Sequence, residues 1–132
     1  MEAHAFKPWR GKTIRAADLR GWKPSTIALG ALALKGCDLR GAQLAGAQLD
    51  GCNLSLSDLR GADLCGASLV GADVEGANFS GADLRGACFN DCAMTAARLF
   101  DGDRAAKVEN ADFTGAEGLL EAQAEWLERH LA

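Results

Sequence analysis

A chain of 132 residues with a net charge of −4 and 48% hydrophobic residues has the size of one domain. No apolar run is long enough to span a bilayer and no segment has a secretory-signal layout, so a cytoplasmic protein without membrane contact is expected. The only basic cluster is a modest one near the N-terminus, which disfavours direct nucleic-acid binding.

The chain is organised by a period of five. Leu34, Leu39, Leu44, Leu49, Leu54, Leu59, Leu64, Leu69, Val74, Phe79, Leu84, Phe89, Met94 and Leu99 follow one another without a slip in register. Two residues before most of them stands Ala or Cys, and two residues after most of them stands Gly. The N-terminal region, 1–31, extends this frame backward through Ile14 and Leu19, but Pro24 then falls in a central position and Trp22 in a small one. This region is expected to form an N-terminal cap and an irregular first coil, with Trp9, Trp22, Ile27 and Leu32 plugging the exposed end of the core. The regular part spans 32–101. The frame breaks after Asp101, and 102–110 is expected to be a loop, a candidate contact site or simply a loose connection. Ala111-Asp112-Phe113-Thr114-Gly115 then matches again, one residue out of register, so 102–117 is expected to hold a loop and a final repeat. The tail, 118–132, changes period: Leu120, Ala124, Leu127 and Leu131 recur at helical spacing with Trp126 beside them. This amphipathic helix is expected either to cap the last coil or to pair with a second copy. Leu120, Trp126, Leu127 and Leu131 are its candidate contacts, because exposing them all would leave an apolar patch.

Neither ordinary element repeats at five. Residues five apart drift about 140° around a helix, and an odd repeat flips faces along a strand. Glycine at nearly every unit also opposes a long helix, at roughly 1 kcal/mol each relative to Ala. A chain that runs briefly extended, turns a corner and repeats keeps the large and small residues of each unit facing one axis. Gly then stands near the corner, where positive φ is easiest. Such a chain is a solenoid.

The units Ala62-Asp63-Leu64-Cys65-Gly66, Ala77-Asn78-Phe79-Ser80-Gly81 and Ala82-Asp83-Leu84-Arg85-Gly86 resemble the pentapeptide-repeat family, whose unit is roughly Ala-Asp/Asn-Leu-X-X. The resemblance implies an all-β fold, a right-handed quadrilateral β-helix with four units per coil, here followed by a C-terminal α-helix. In that frame Cys37, Cys52 and Cys92 take inward small positions and Cys65 and Cys88 outward ones. Cys52 and Cys92 fall on one side but two coils apart, about 9.5 Å at the strand spacing, beyond disulfide reach. There is no Cys-x-x-Cys, and His4 and His130 lie at opposite ends of the chain, so five free thiols and no metal are expected.

Charge is uneven along the chain. Region 1–31 carries six cations against two anions, 32–101 five against nine, and 102–132 three against seven. No nucleophile–base pair, paired carboxylates or phosphate-binding glycine loop stands out. The sequence is therefore read as a non-catalytic structural or protein-interaction rod without a cofactor, its protein partner unknown. The alternative comes from the resemblance: some family members mimic B-form DNA and bind DNA gyrase or topoisomerase IV, inhibiting it or protecting it from quinolones or peptide poisons. That requires a dense negative surface. Asp38, Asp58, Asp63, Asp73 and Asp83 are the candidates for it, with Arg40, Arg60 and Arg85 interrupting. Leu56, which replaces a corner Gly, and Val70 and Phe100 in outward positions are mild hints of a contact surface.

Overall fold

The computed structural model describes residues 13–24 and 28–131; the expectations for Trp9 and Ile27 fall outside them. Parallel bridges join each unit to the one twenty residues on: Thr13↔Ala33, Asp18↔Asp38, Asp38↔Asp58, Gln43↔Asp63, Gln48↔Ser68 and their successors. Four units of five therefore close one coil, and the chain is an all-β, four-sided β-helix ending in one α-helix.

The backbone pattern explains the period. In the unit centred on Leu39, Asp38 N–H donates to the Ala17 carbonyl in the coil before (2.9 Å) and Leu39 N–H to the Asp58 carbonyl in the coil after (2.8 Å). Ala42 N–H then closes the corner onto the Leu39 carbonyl (3.0 Å), and Gly41 N–H reaches the Arg60 carbonyl (3.1 Å). The corner residue must adopt positive φ, as Gly41 does at 69°, which is why Gly holds that position at most corners. The unit thereby satisfies its backbone at its own corner and against the coils on either side, while two of its five side chains point inward.

The fourteen central residues from Leu34 to Leu99 are at most 1% exposed, and Ala42, Ala47, Ala62 and their counterparts fill the space beside them. Phe79 meets Phe89 edge-on at 5.5 Å, and Phe89 stacks on Phe113 one coil later at 4.9 Å. Cys37, Cys52 and Cys92 are buried in the small position, and each thiol donates to a carbonyl one coil back: Ile14 (3.4 Å), Leu29 (3.1 Å) and Leu69 (2.8 Å). Burial pushes the Cys52 and Cys92 thiols up to about 11, and raises that of Cys37 as well. Ser57, which stands where Ala or Cys is usual, donates its hydroxyl to the Leu54 carbonyl.

Two boundaries differ from the sequence expectation. Within 1–31, Leu19 (3% exposed) and Leu29 (0%) already occupy the central column, and Trp22 (5%) fills a small position. The described part of that region thus already contributes units to the β-helix. Second, 102–110 is not one loop. The bridges Asp83↔Lys107, Cys88↔Asp112 and Ala93↔Glu117 span twenty-four residues rather than twenty, so the insertion is four residues, 102–105. It forms a small antiparallel hairpin of β1 (Phe100–Asp101) and β2 (Arg104–Ala105). The regular unit Ala106-Lys107-Val108-Glu109-Asn110 follows at once, with Ala106 and Val108 buried. Its pattern is masked by Lys in the acidic position and Asn at the corner, where Asn110 takes φ 63°; Asn tolerates that conformation better than most residues.

The last coil runs into Gly118, at φ 95°, where a Cβ would lie 2.5 Å from Thr95 Oγ1 and 2.8 Å from its backbone nitrogen. After this close passage the chain leaves the ladder and forms α1 (Glu121–Leu131).

Candidate interaction surface

Each side of the rod exposes two residues per unit, one before and one after the inward central residue. The residue before it is usually Asp or Asn, and its side chain has a local task. Asp38, Asp58, Asp63, Asp73 and Asp83 each accept the backbone N–H two residues on, from Arg40 (3.2 Å), Arg60 (3.1 Å), Cys65 (3.0 Å), Glu75 (3.0 Å) and Arg85 (3.2 Å). Asn53 and Asn78 do the same for Ser55 and Ser80 at 3.0 Å. This Asx-type turn starts the corner and explains the residue preference without any partner.

Where Arg follows the central residue, the carboxylate is also neutralised. Arg40 Nε and Nη2 donate to Asp38 at 2.9 and 2.7 Å, Arg60 to Asp58 at 2.9 and 2.6 Å, and Arg85 to Asp83 at 2.9 and 2.7 Å. Arg20 holds Asp18 in the same way at 2.9 and 2.8 Å. The guanidinium hydrogen bonds keep all four carboxyls below their usual range, with Asp18 lowered to about 2. On one side the pairs stack into a ladder, because Arg20 also lies 3.9 Å from Asp38 and Arg40 3.8 Å from Asp58.

The five candidate acidic residues therefore do not form one negative strip. Asp38 and Asp58 stand in the paired ladder, Asp63 and Asp83 on the next side, and Asp73 on a third, with three of the five bound to arginine. The Asp-Leu-Arg triplets at 18–20, 38–40, 58–60 and 83–85 carry this signal in the sequence. It is legible only once the two outer side chains are known to lean together. Ligand atoms of Asp63, Cys65 and Asp83 lie within 4.8 Å of one another, but both Asp83 oxygens already hold Arg85, so the group is not set out as a metal cage.

At the C-terminal end α1 packs against the rod. Trp126 and Leu127 are buried, Trp126 meets Phe100 at 5.6 Å and His130 at 4.3 Å, and Leu120 (58%) and Leu131 (39%) remain exposed. Phe100 is accordingly half-buried rather than outward. A glutamine that nothing in the sequence singled out completes the contact. Gln123 Oε1 accepts the N–H of Leu99 (2.7 Å) and of Phe100 (3.3 Å), and its Nε2 donates to the Phe100 carbonyl (3.3 Å). One side-chain amide thus stands in for the peptide group of a coil that is not there. Beside it the hairpin covers the last part of the ladder side, with Arg104 lying over Gly81 and Ser80 fully buried.

Among the described residues no helix is long and apolar enough to cross a membrane. A four-sided rod built of stacked coils, each contacting only its neighbours, belongs to the class of solenoid repeat proteins. The family model for pentapeptide repeats matches eight copies over residues 33–55 and 57–95, so that part of the chain is built of pentapeptide repeats. The pentapeptide-repeat protein Rfr23 of the cyanobacterium Cyanothece 51142 is 28% identical, with a TM-score of 0.54 over 83% of this chain and 60% of its own. HetL of Nostoc sp. strain PCC 7120, a pentapeptide-repeat protein involved in heterocyst differentiation regulation, is 29% identical, with a TM-score of 0.55 over 82% of this chain and 45% of its own. This chain thus spans less than two thirds of either relative. Trypsin-treated QnrB1, a plasmid-mediated fluoroquinolone resistance protein, covers 92% of this chain and 89% of its own at 20% identity, but its TM-score is 0.31 and the likeness carries no functional weight. No curated protein matches the chain.

Proposed function

We propose that the chain is a non-catalytic rod that binds a protein partner through its sides and works in the cytoplasm. The observation that carries this reading is the Asp–Arg ladder of Asp18/Arg20, Asp38/Arg40 and Asp58/Arg60. Carboxylates held ionised by bidentate arginine have no proton to give near neutral pH and are poor general acids. The same pairing fixes the side chains in advance, which lowers the entropy cost of docking a complementary surface. Five free thiols, three of them buried, suit a reducing compartment. The test is affinity capture from the native cytoplasm with the wild type and with Arg40→Glu/Arg60→Glu as bait. A partner enriched by the wild type and lost with the variant supports the reading. If nothing distinguishes the two baits, the ladder is not a docking surface.

The alternative partner is DNA gyrase or topoisomerase IV, bound through mimicry of duplex DNA. The excess of nine anions over five cations in 32–101 favours it, and the arginine pairing of Asp38, Asp58 and Asp83 works against it. A gyrase supercoiling assay, with and without a quinolone, separates the two readings. Neither inhibition nor protection at tens of micromolar protein would remove this one.

A further inference from the structure

One corner of the rod departs from its neighbours. Its column reads Ala16, Gly36, Leu56, Gly76 and Ala96, one residue per coil. Leu56 sits there at φ 59° and is 63% exposed, the most exposed large apolar side chain among the described residues. A bulky residue with positive φ is strained where Gly is not, and this one gains little burial in return. Its Cδ2 leans over Gly76, 2.8 Å from where a Cβ would stand, so a larger residue there would push the leucine side chain aside. Beside it lies a shallow recess of about 290 Å³, flanked by Lys35 below and by Glu75, Thr95 and Ala96 above. Lys35 and Glu75 occupy the same position one coil before and one coil after Ser55, and neither makes an ion pair among the described residues.

We propose that this corner pairs with the same corner of a second copy of the chain, the two rods lying side by side and antiparallel. The column is self-complementary about Leu56: Gly36 mirrors Gly76 and Ala16 mirrors Ala96. A two-fold axis perpendicular to the rods therefore brings small residues against small residues, letting the backbones approach. The same axis sets Lys35 opposite the partner's Glu75, and Glu75 opposite the partner's Lys35. Leu56 of each copy enters the apolar recess beside its mate. A parallel arrangement would instead oppose Lys35 to Lys35 and Glu75 to Glu75, so the charges select the antiparallel one. This surface is separate from α1, the other candidate site of self-association, whose Trp126 and Leu127 are already buried within the chain.

The test is sedimentation equilibrium of the full chain from about 10 µM to about 1 mM, a span that brackets weak association. The wild type should show a concentration-dependent monomer–dimer equilibrium. Leu56→Gly should weaken it at least about 10-fold, since it removes the apolar contact at the centre of the interface. It should melt no lower than the wild type, because Gly relieves the corner, so loss of pairing would not reflect misfolding. Lys35→Glu should also weaken pairing, and Lys35→Glu/Glu75→Lys should restore it. Leu120→Glu, on the helix end, should leave it intact. A wild type that is monomeric throughout, a Leu56→Gly variant that pairs normally, a double charge exchange that fails to restore pairing, or dissociation by Leu120→Glu alone would each overturn the proposal.

Discussion

Replacing Gln123 by Met tests the idea that a side-chain amide closes the end of the solenoid. Met keeps the length and flexibility of Gln without its polar atoms. The change leaves the Leu99 and Phe100 N–H groups and the Phe100 carbonyl without the partners they have at 2.7, 3.3 and 3.3 Å. Leu99 is 0% exposed, so water does not replace the shortest of these bonds without an opening of the end. A buried group left without its hydrogen bond costs about 1–3 kcal/mol; the two longer contacts lie at the half-buried Phe100 and add less. The cost falls on the last coil alone, because each coil contacts only its neighbours. Native-state hydrogen exchange reads this directly. The Leu99 amide should exchange about 5–150-fold faster in Gln123→Met, the factor equivalent to that energy. The Leu64 amide, bonded mid-rod to Asp83 at 2.8 Å, should be unchanged. Unaltered protection at Leu99 would refute the capping role and leave Trp126 and Leu127 as the whole of the helix attachment.

Four further outcomes are expected. Leu64→Asp places an unpaired carboxylate in a fully buried position and should abolish the cooperative thermal transition, as followed by circular dichroism; an unchanged melt would put Leu64 on the surface. The carboxyls of Asp18, Asp38, Asp58 and Asp83 are lowered in the folded chain, Asp18 from the usual 3.8 to about 2. Their contribution is thus present above the usual carboxylate value and is lost as the pH falls below it; acid destabilisation should be less pH-dependent for Asp58→Asn, which keeps the turn but not the charge. The buried thiols behave oppositely: with Cys52 and Cys92 raised from 9.0 to about 11, stability should be intact below pH 9 and decline toward pH 11, and Cys52→Ala/Cys92→Ala should flatten that decline. Deleting 102–105 should restore the twenty-residue spacing and preserve the circular-dichroism spectrum of the rod; loss of that spectrum would show that the hairpin is required for folding rather than inserted into a tolerant corner.

Most of the rod's inside was legible from the residues because the code is local. A five-residue unit satisfies its own corner and hands the rest of its backbone to the coils on either side, so one unit's side chains reveal which positions face inward. The legibility ended where a unit kept the geometry but lost the signature. Ala106 and Val108 enter the core although Lys107 and Asn110 hide their unit, and Trp22 fills a position where a small residue is the rule. The exterior was less readable for a different reason. A sequence shows Asp38, Asp58 and Asp83 as negative charges, and only the side-chain geometry shows each of them held by an arginine two residues away.

The sequence by itself determined the period, the inward column from Leu34 to Leu99, the glycine corners and the helical tail, because each follows from spacing and local backbone preference. The tertiary structure decided which carboxylates stay unpaired, how far the insertion extends, and what the tail does. Those depend on contacts between residues far apart in the chain: Gln123 lies twenty-four residues beyond the Leu99 amide it caps. Leu56 shows the division at a single site. Its departure from glycine is plain in the sequence, and its exposure beside Gly76, between Lys35 and Glu75, emerges only when the coils are stacked.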